Sequence, residues 1–295
     1  MSSRRGCGIF LYGRIGETNA VFPSSAAQRK GSDMFWLYED ELPPGVGVER
    51  FGAAHLAYIV FFLGFTVCFA LFFKKRDEAG RRRAERVLGS AVLFFGLCEY
   101  GVTALAGRLG LYSLPLHLCS LLFFLVPLHA WIGGARSGSF GARLRAFLGA
   151  ILFFPGLPGV WAALLFPDWL NYPFWNYLSI SGFMGHGLVS AYAASVIVRR
   201  SEAAEQKALF RRDLKSSTLF VLVGAAAMYV FDRITGANYW FMNAPSADSP
   251  LAPVYERGGF GAYLLVFLLA AAAGAALCFG LRYLFSVRGK KDAAS

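Results

Sequence analysis

A histidine and a cysteine stand two positions apart at the head of a long apolar run. His117 and Cys119 belong to the segment Leu-Pro-Leu-His-Leu-Cys at 114–119, and the apolar run continues to Trp131. An imidazole is a base and a thiolate is a nucleophile, and both side chains cost free energy when they are buried in hydrocarbon without partners. The pair therefore suggests a reactive site inside a membrane. The alternative is a small apolar cysteine beside a histidine that makes a helix-to-helix hydrogen bond.

The composition indicates a membrane protein. Apolar side chains make up 56% of the 295 residues, charged ones only 16%, and the mean hydropathy is +0.49, which is too apolar for a soluble globule. The formal net charge is +11, but the Lys and Arg residues stand in short clusters between apolar runs, where they indicate orientation rather than binding of nucleic acid. The five cysteines form no CxxC pair and no disulfide framework. We expect membrane lipids as partners, no nucleic acid and no cofactor.

The apolar segments predict an all-α polytopic membrane protein. A spanning helix needs about 20 apolar residues, and seven segments qualify: 51–73, 87–106, 112–133, 146–166, 176–198, 214–235 and 259–285. The chain then divides into a disordered N-terminal extension at 1–33, which is a candidate start-site artefact, an interfacial lead-in segment at 34–50, the seven-helix domain at 51–285 and a basic cytoplasmic tail at 286–295.

The distribution of basic residues predicts the orientation. The connections after the first, third and fifth predicted spans, together with the tail, hold most of the Lys and Arg residues that lie beyond position 50. Because cytoplasmic loops carry the excess of Lys and Arg, we expect the N-terminus outside and the C-terminus inside. The expected location is the plasma membrane, as a multi-pass protein.

Polar residues inside the predicted spans fall mostly in the outer half when their depth is counted at about 1.5 Å per residue. They predict one polar cavity that opens outward, and its candidate lining residues are His55, Glu99, His117, Cys119, His186 and Asp232, with Asn238 and Tyr239 in the following outer loop. A buried hydrogen-bond network that only stabilises the bundle is the alternative. His129 lies at the opposite depth and is expected at the membrane interface.

Helix geometry limits the chemistry of the first pair. Residues two apart on a regular helix point about 200° apart, so His117 and Cys119 do not share a cavity unless the helix is irregular. Pro115 is expected in the first turn of that helix, where proline is tolerated. A Cys119 nucleophile therefore needs a base from another helix, and His186 in the fifth predicted span is the best candidate. Glu99 or Asp232 would orient His186.

Two segments predict departures from a plain bundle. Pro-Gly-Leu-Pro-Gly at 155–159 lies in the middle of the fourth predicted span and indicates a kink or an unwound turn. The outer loop from 236 to 255 is rich in aromatic residues, Asn and Pro. It predicts an ordered lid or re-entrant cap, and an aromatic belt at the membrane interface is the alternative.

The same motifs carry a family resemblance. Leu-Pro-Leu-His-Leu-Cys at 114–119, His186 in the fifth predicted span, and Asn238-Tyr239 before the Pro-containing loop to Tyr255 resemble the YwaF-type bacterial integral membrane family. More distantly, the chain is similar to the animal transmembrane protein 164 family over roughly residues 35–290. That resemblance implies an acyltransferase that remodels ether phospholipids, with Cys119 as the active cysteine and His186 as the matching histidine. The animal proteins have Asn-Pro-Cys-His where this chain has Leu-His-Leu-Cys-Ser.

Three functions are open at this point. The first is a cysteine-dependent lipid acyltransferase, whose substrate would be a lipid or another acyl donor. The second is a transporter or small-molecule-binding protein that uses the same cavity and the broken fourth helix. The third is a metal-dependent lipid hydrolase, but the sequence has no His-x-x-x-His motif, and no metal is assigned. A retinal protein is excluded because the seventh predicted span contains no lysine.

Overall fold

The computed structural model describes residues 34–132, 138–202, 206–246 and 249–292. In these ranges every regular element is helical, and seven helices are long and apolar enough to span a membrane. The prediction of a seven-helix all-α membrane protein is therefore confirmed. The expected extension 1–33, Arg136 and residues 293–295 of the expected tail lie outside the described residues. The helices are α1 (Ala53–Lys74), α2 (Glu78–Leu105), α3 (Leu118–Trp131), α4 (Phe140–Ile151), α5 (Leu157–Leu165), α6 (Tyr177–Ser201), α7 (Gln206–Thr235) and α8 (Ala252–Asp292).

Helix α6 lies at the centre of the bundle. In its most apolar window 72% of the residues are buried inside the protein, compared with 6% in that of α7. Glycines let neighbouring helices approach α6 closely, because a methyl group on Gly185 would lie only 2.6 Å from Cζ of Phe123 in α3. Helices α1, α7 and α8 instead expose many large apolar side chains. These side chains form the surface that meets lipid.

The lead-in segment 34–50 is ordered and packs against the start of α6. The side-chain amide of Asn176 donates hydrogen bonds to the carbonyl oxygens of Met34 at 2.8 Å and Leu37 at 2.9 Å. Farther along the segment, the backbone amide of Val48 donates to the Leu170 carbonyl at 2.7 Å. The segment is therefore part of the folded bundle.

Several helices begin earlier than the apolar segments predicted. Helix α2 begins at Glu78 rather than at 87, and α7 begins at Gln206 rather than at 214. Hydropathy marks only the part of a helix that lies in hydrocarbon, whereas helical hydrogen bonding continues through charged residues that pair with one another, such as Arg82 and Glu78 at 2.8 Å. Helix α8 also starts early, but Gly259, with φ 68°, interrupts it at the residue where the last span was predicted to begin.

The fourth span is broken, as Pro155 and Gly156 predicted. It consists of α4 and α5, joined by a wide turn at Leu152–Gly156 in which Phe154 has the extended backbone angles φ −151° and ψ 123°. A neighbouring helix satisfies a backbone group next to this break, because the hydroxyl of Ser217 in α7 donates to the Ala150 carbonyl at 3.0 Å. A break inside a membrane is tolerated where such partners exist.

Helix α3 begins later than predicted. Pro115 lies in a turn that precedes the helix, so its expected place in the first helical turn is wrong. The residue before a proline is disfavoured in the helical region, and Leu114 has extended angles of φ −63° and ψ 141°. His117 is the N-cap, also extended, and the helix starts at Leu118. Cys119 is therefore the second helical residue, in a turn whose backbone N–H groups have no partner within the helix.

Candidate functional site

Helices α2, α3 and α6 converge around Phe123. A methyl group on Gly96 of α2 would lie 3.0 Å from Cβ of Phe123, and Gly185 of α6 meets the same ring from the other side. Cys119 lies four residues before Phe123. It is therefore on the same face of α3 and about 6 Å nearer the start of the helix. Since α3 and α6 run in the same direction, Cys119 is level with the Ser181 turn of α6.

A carboxylate reaches this level from α2. Glu99 accepts a hydrogen bond at its Oε2 from the hydroxyl of Ser181 at 3.2 Å. The exposed carboxylate of Asp168, in the connection between α5 and α6, interacts electrostatically with Glu99, His117, Cys119 and His186. Four of the predicted site residues, Glu99, His117, Cys119 and His186, are therefore within electrostatic range of Asp168, and Glu99 is also bonded to Ser181.

The imidazole of His186 has a fixed tautomer. Its Nδ1 lies 2.6 Å from the carbonyl oxygen of Gly182, one turn earlier in α6. A carbonyl oxygen only accepts hydrogen bonds, so Nδ1 carries the hydrogen and Nε2 keeps a lone pair. The group that orients His186 is thus a backbone carbonyl rather than Glu99 or Asp232. This hydrogen bond also places the His186 ring beside Gly182, at the same depth in the bundle as Cys119.

An indole lies against this imidazole. The ring centroids of Trp169 and His186 are 4.7 Å apart, and a methyl group on Gly182 would lie 2.9 Å from Trp169 Nε1. This Nε1 is buried and has no hydrogen-bond acceptor among the described residues, which is uncommon for a buried N–H group. Together, Glu99, Cys119, Trp169, Ser181 and His186 are named here the Cys119 cluster.

Sequence reasoning missed Asp168 and Trp169. The signal that marks them is weak: Asp168 is the one charged residue in the connection between the fourth and fifth predicted spans. Nothing in the linear sequence shows that Trp169 turns back into the bundle towards His186.

The thiol of Cys119 lies at the same level of the bundle as the His186 imidazole and is not bonded to it. In the described part of the chain, no hydrogen bond joins Cys119 Sγ to a histidine ring, and the cysteine is free. Burial and the negative charge of Asp168 both disfavour the thiolate, whereas the positive end of the α3 dipole favours it. Catalytic hydrogen bonds are often long before substrate binds, so the arrangement is compatible with a cysteine and histidine pair.

His55 lies outside the Cys119 cluster. Its Nδ1 accepts a hydrogen bond from the Phe51 backbone amide at 2.9 Å, and its Nε2 donates to the Leu164 carbonyl at 2.8 Å. Both ring nitrogens are therefore occupied, and the buried ring ties the start of α1 to the end of α5. His55 therefore makes hydrogen bonds that join two helices, and it takes no part in the Cys119 cluster.

The other predicted residues belong to an ordered cap at 236–246. The Asn238 side chain accepts from the Asn243 amide at 2.9 Å and donates to the Ala244 carbonyl at 2.8 Å, which closes the loop on itself. The Tyr239 hydroxyl donates to the Leu111 carbonyl, and burial raises the pKa of this phenol, so it stays a donor. The prediction of an ordered cap is confirmed for these residues.

The cap covers the start of α3. The Tyr239 ring lies 4.6 Å from the ring of His117, and the indole of Trp240 donates to the Leu116 carbonyl at 2.7 Å. Asp232 is buried at the end of α7 beneath the Tyr239 amide. His117 and Asp232 therefore contact the cap, whereas Cys119 shares the face of α3 on which Phe123 contacts Gly185 of α6.

His129 is not an interface residue, and that expectation is wrong. Only 2% of its surface is exposed, and its Nδ1 lies 2.7 Å from the hydroxyl of Tyr192 in α6. The histidine avoids the interface because α6 supplies a polar partner inside the bundle.

The donor set does not favour a metal site. Within the described ranges, no group of three or more His, Cys, Asp or Glu side chains comes together as metal ligands.

The residues described above fall within the range that matches a known protein family. The sequence model described as the TMEM164 family matches residues 50–282, a range that includes the Cys119 cluster, the cap and His129. The chain belongs to the TMEM164 family. No curated protein and no solved structure matches it. The chain is therefore a multi-pass membrane protein of the TMEM164 family.

Proposed function

We propose that this TMEM164-family protein is a cysteine-dependent acyltransferase that acts on lipids of the plasma membrane. The observation that carries the proposal is the combination of Cys119, in the first turn of α3, with the unprotonated Nε2 of His186 at the same level. The motif at 114–119 further suggests that the chain stands near the YwaF-type bacterial subgroup. A binding or transport protein has no need for a thiol and a base at the same level.

In the first half-reaction, Cys119 Sγ attacks the carbonyl carbon of an acyl ester while its proton moves to His186 Nε2. A tetrahedral oxyanion forms, and the ester C–O bond then breaks. The leaving oxygen takes the proton from His186. The products are a thioester on Cys119 and a lipid that has lost one acyl chain.

In the second half-reaction, a hydroxyl group of an acceptor lipid or alcohol gives its proton to His186 Nε2 and attacks the thioester carbonyl. The C–S bond breaks, and the Cys119 sulfur recovers the proton from His186. The acyl chain has moved from one oxygen to another, and the protein is unchanged. No oxidant, reductant or cofactor takes part.

Trp169 supports the same chemistry. Its buried Nε1–H has no acceptor among the described residues, and it lies at the level of Gly182, where the oxyanion would form. A hydrogen-bond donor that is fixed before the reaction stabilises such an oxyanion without reorganisation. Removing one donor of this type typically slows acyl transfer about 10²- to 10³-fold.

A lipid-like acyl electrophile tests the proposal in membranes that contain the full chain. Cys119 should be labelled while the other four cysteines, which include Cys68, Cys98 and Cys278, stay largely unlabelled. Because a general base contributes about 10²- to 10⁴-fold in rate, His186→Ala should slow the labelling by that factor. Trp169→Phe should slow it as well. Neutral hydroxylamine should release the label, as it releases other thioesters.

Ser190→Ala is the matched control, since Ser190 is one turn beyond His186 on α6 and its hydroxyl accepts from Thr66 at 3.1 Å. This variant should leave the labelling rate unchanged. Equal labelling of Cys68, Cys98 and Cys119, independent of His186, would reduce Cys119 to a small core residue. A transport or binding function predicts that Cys119→Ser is mild, and a metal-dependent hydrolase predicts loss of activity with a chelator.

A further inference from the structure

A network of ion pairs closes the end of the bundle opposite Cys119. Glu85, which is fully buried, accepts from Arg145 at 2.8 Å and from Arg199 at 2.6 Å. Asp213, also fully buried, accepts from Arg200 at 2.8 Å and from Arg282 at 2.7 Å.

Among the residues that the structure describes, arginines outnumber carboxylates in this network. Beside the two buried carboxylates, Arg199 pairs with Glu78 at 2.7 Å, while the exposed Arg212 adds a fifth guanidinium 3.7 Å from Asp213. Buried ions are stable only when they are paired and hydrogen-bonded. The excess of positive charge among these residues therefore favours the binding of one more anion.

A cavity opens beside this network. Its volume is about 180 Å³, and it is lined by His129, Arg145, Val196, Arg199, Arg200 and Leu209. Three of these described lining residues are arginines, none carries a carboxylate, and two form an apolar wall. Arg145 bonds through Nε to the His129 carbonyl at 3.4 Å and through Nη2 to Glu85. Its Nη1 makes no hydrogen bond to a residue of the described ranges.

The shape and chemistry of the cavity select the ligand. Guanidinium groups match the oxygen geometry of a phosphate and bind it through paired hydrogen bonds. The volume is below the range of about 300–1,000 Å³ found for pockets that enclose a whole drug-sized ligand. The cavity therefore accommodates a phosphate group with its nearest carbons, and Val196 and Leu209 suit the carbon side.

We propose that this arginine cavity is a binding site for a phosphate group, either on the headgroup of an anionic phospholipid or on a small soluble phosphate ester. It is separate from the proposed acyl-transfer site. His129 and Cys119 are ten residues apart on α3, which corresponds to about 15 Å along the helix axis. Its occupation does not depend on whether Cys119 is a nucleophile.

Binding is measured on the full chain in phosphatidylcholine nanodiscs. In one arm the discs also contain phosphatidate, and native mass spectrometry reports how much phosphatidate stays on the protein. In the other arm, inorganic phosphate or sn-glycerol 3-phosphate is titrated into phosphatidylcholine discs, and thermal unfolding reports binding. Retention of phosphatidate identifies a lipid headgroup, and stabilisation by the soluble ions alone identifies a soluble ester. Binding in neither arm would overturn the proposal.

Two variants address the cavity itself. Arg145→Gln removes a charged hydrogen-bond donor and should weaken binding about tenfold to 100-fold. Leu209→Trp fills the cavity from its apolar side and should abolish binding while the ion pairs of Glu85 and Asp213 stay intact. The second variant keeps the test decisive if Arg145→Gln does not fold.

Arg82→Gln is the matched control, because Arg82 lies at the same end of the bundle, is exposed and pairs with Glu78 outside the cavity. It should bind as the unaltered protein does. An equal loss in Arg82→Gln and Arg145→Gln would mean that surface charge alone attracts the anion, and the proposal would be wrong. Full binding by folded Leu209→Trp would exclude the cavity as the site.

Discussion

Gly187 of α6 lies directly under the ring of Phe62 in α1, so close that a methyl group on Gly187 would be 1.9 Å from Phe62 Cδ1. Both residues are in the core, and Phe62 is only 1% exposed. We expect Gly187→Ala to destabilise the bundle by about 1–3 kcal/mol, because the helices must move apart. The thermal midpoint of the purified protein measures this loss. Gly64→Ala is the control, since no atom lies within 4 Å of the added methyl group.

His55 is predicted to matter for stability and not for the chemistry. His55→Ala leaves the buried Leu164 carbonyl and the partly buried Phe51 amide without these partners, and a buried group of this kind costs about 1–3 kcal/mol. The thermal midpoint should fall, while the labelling rate of Cys119 per folded molecule should not. Tyr58→Phe, one turn farther along α1, removes only an exposed hydrogen bond to the Phe174 carbonyl and should be mild. If His55→Ala lost labelling without losing stability, His55 would take part in the reaction and this prediction would be wrong.

The Tyr239 hydroxyl should hold the cap closed. Tyr239→Phe leaves the Leu111 carbonyl without this donor, which corresponds to about 0.5–1.5 kcal/mol for an ordinary hydrogen bond. Backbone amides at 237–244 should then exchange hydrogen roughly twofold to tenfold faster, because local opening becomes easier. Tyr229→Phe, on the exposed side of α7, should exchange like the unaltered protein. Unchanged exchange in Tyr239→Phe would show that the Trp240 and Asn238 hydrogen bonds suffice.

The orientation in the membrane is a further prediction. Reporter tags inserted at 75–77 and at 138–139 should lie in the cytoplasm, since these connections join the basic ends of the helices. Tags at 107–110 and at Asp168 should lie outside. A cytoplasmic signal at Asp168 would contradict both the orientation and the outward-facing Cys119 cluster.

The sequence predicts the spans and the broken helix better than the side-chain partners. Apolar runs mark every spanning helix, and the two prolines and two glycines at 155–159 correctly predict an interruption, because both are local properties of the chain. Partners are not local: the acceptor of His55 lies 109 residues away on another helix. The predicted spans 51–73 and 87–106 leave Glu85 in a cytoplasmic connection, among charged neighbours. Only the packing of α2 against α4 and α6 shows that it is a buried acceptor of arginine hydrogen bonds.

Asp213 has its two strongest partners at very different distances along the chain. Arg200 precedes it by 13 residues, whereas Arg282 follows it by 69. During synthesis, Asp213 therefore meets Arg200 as soon as α7 enters the membrane, but it waits for Arg282 until α8 has been made. A chain that ends before α8 leaves this buried carboxylate without one of its two closest ionic partners. Insertion of the last helix is therefore also the step that completes charge pairing among the earlier helices.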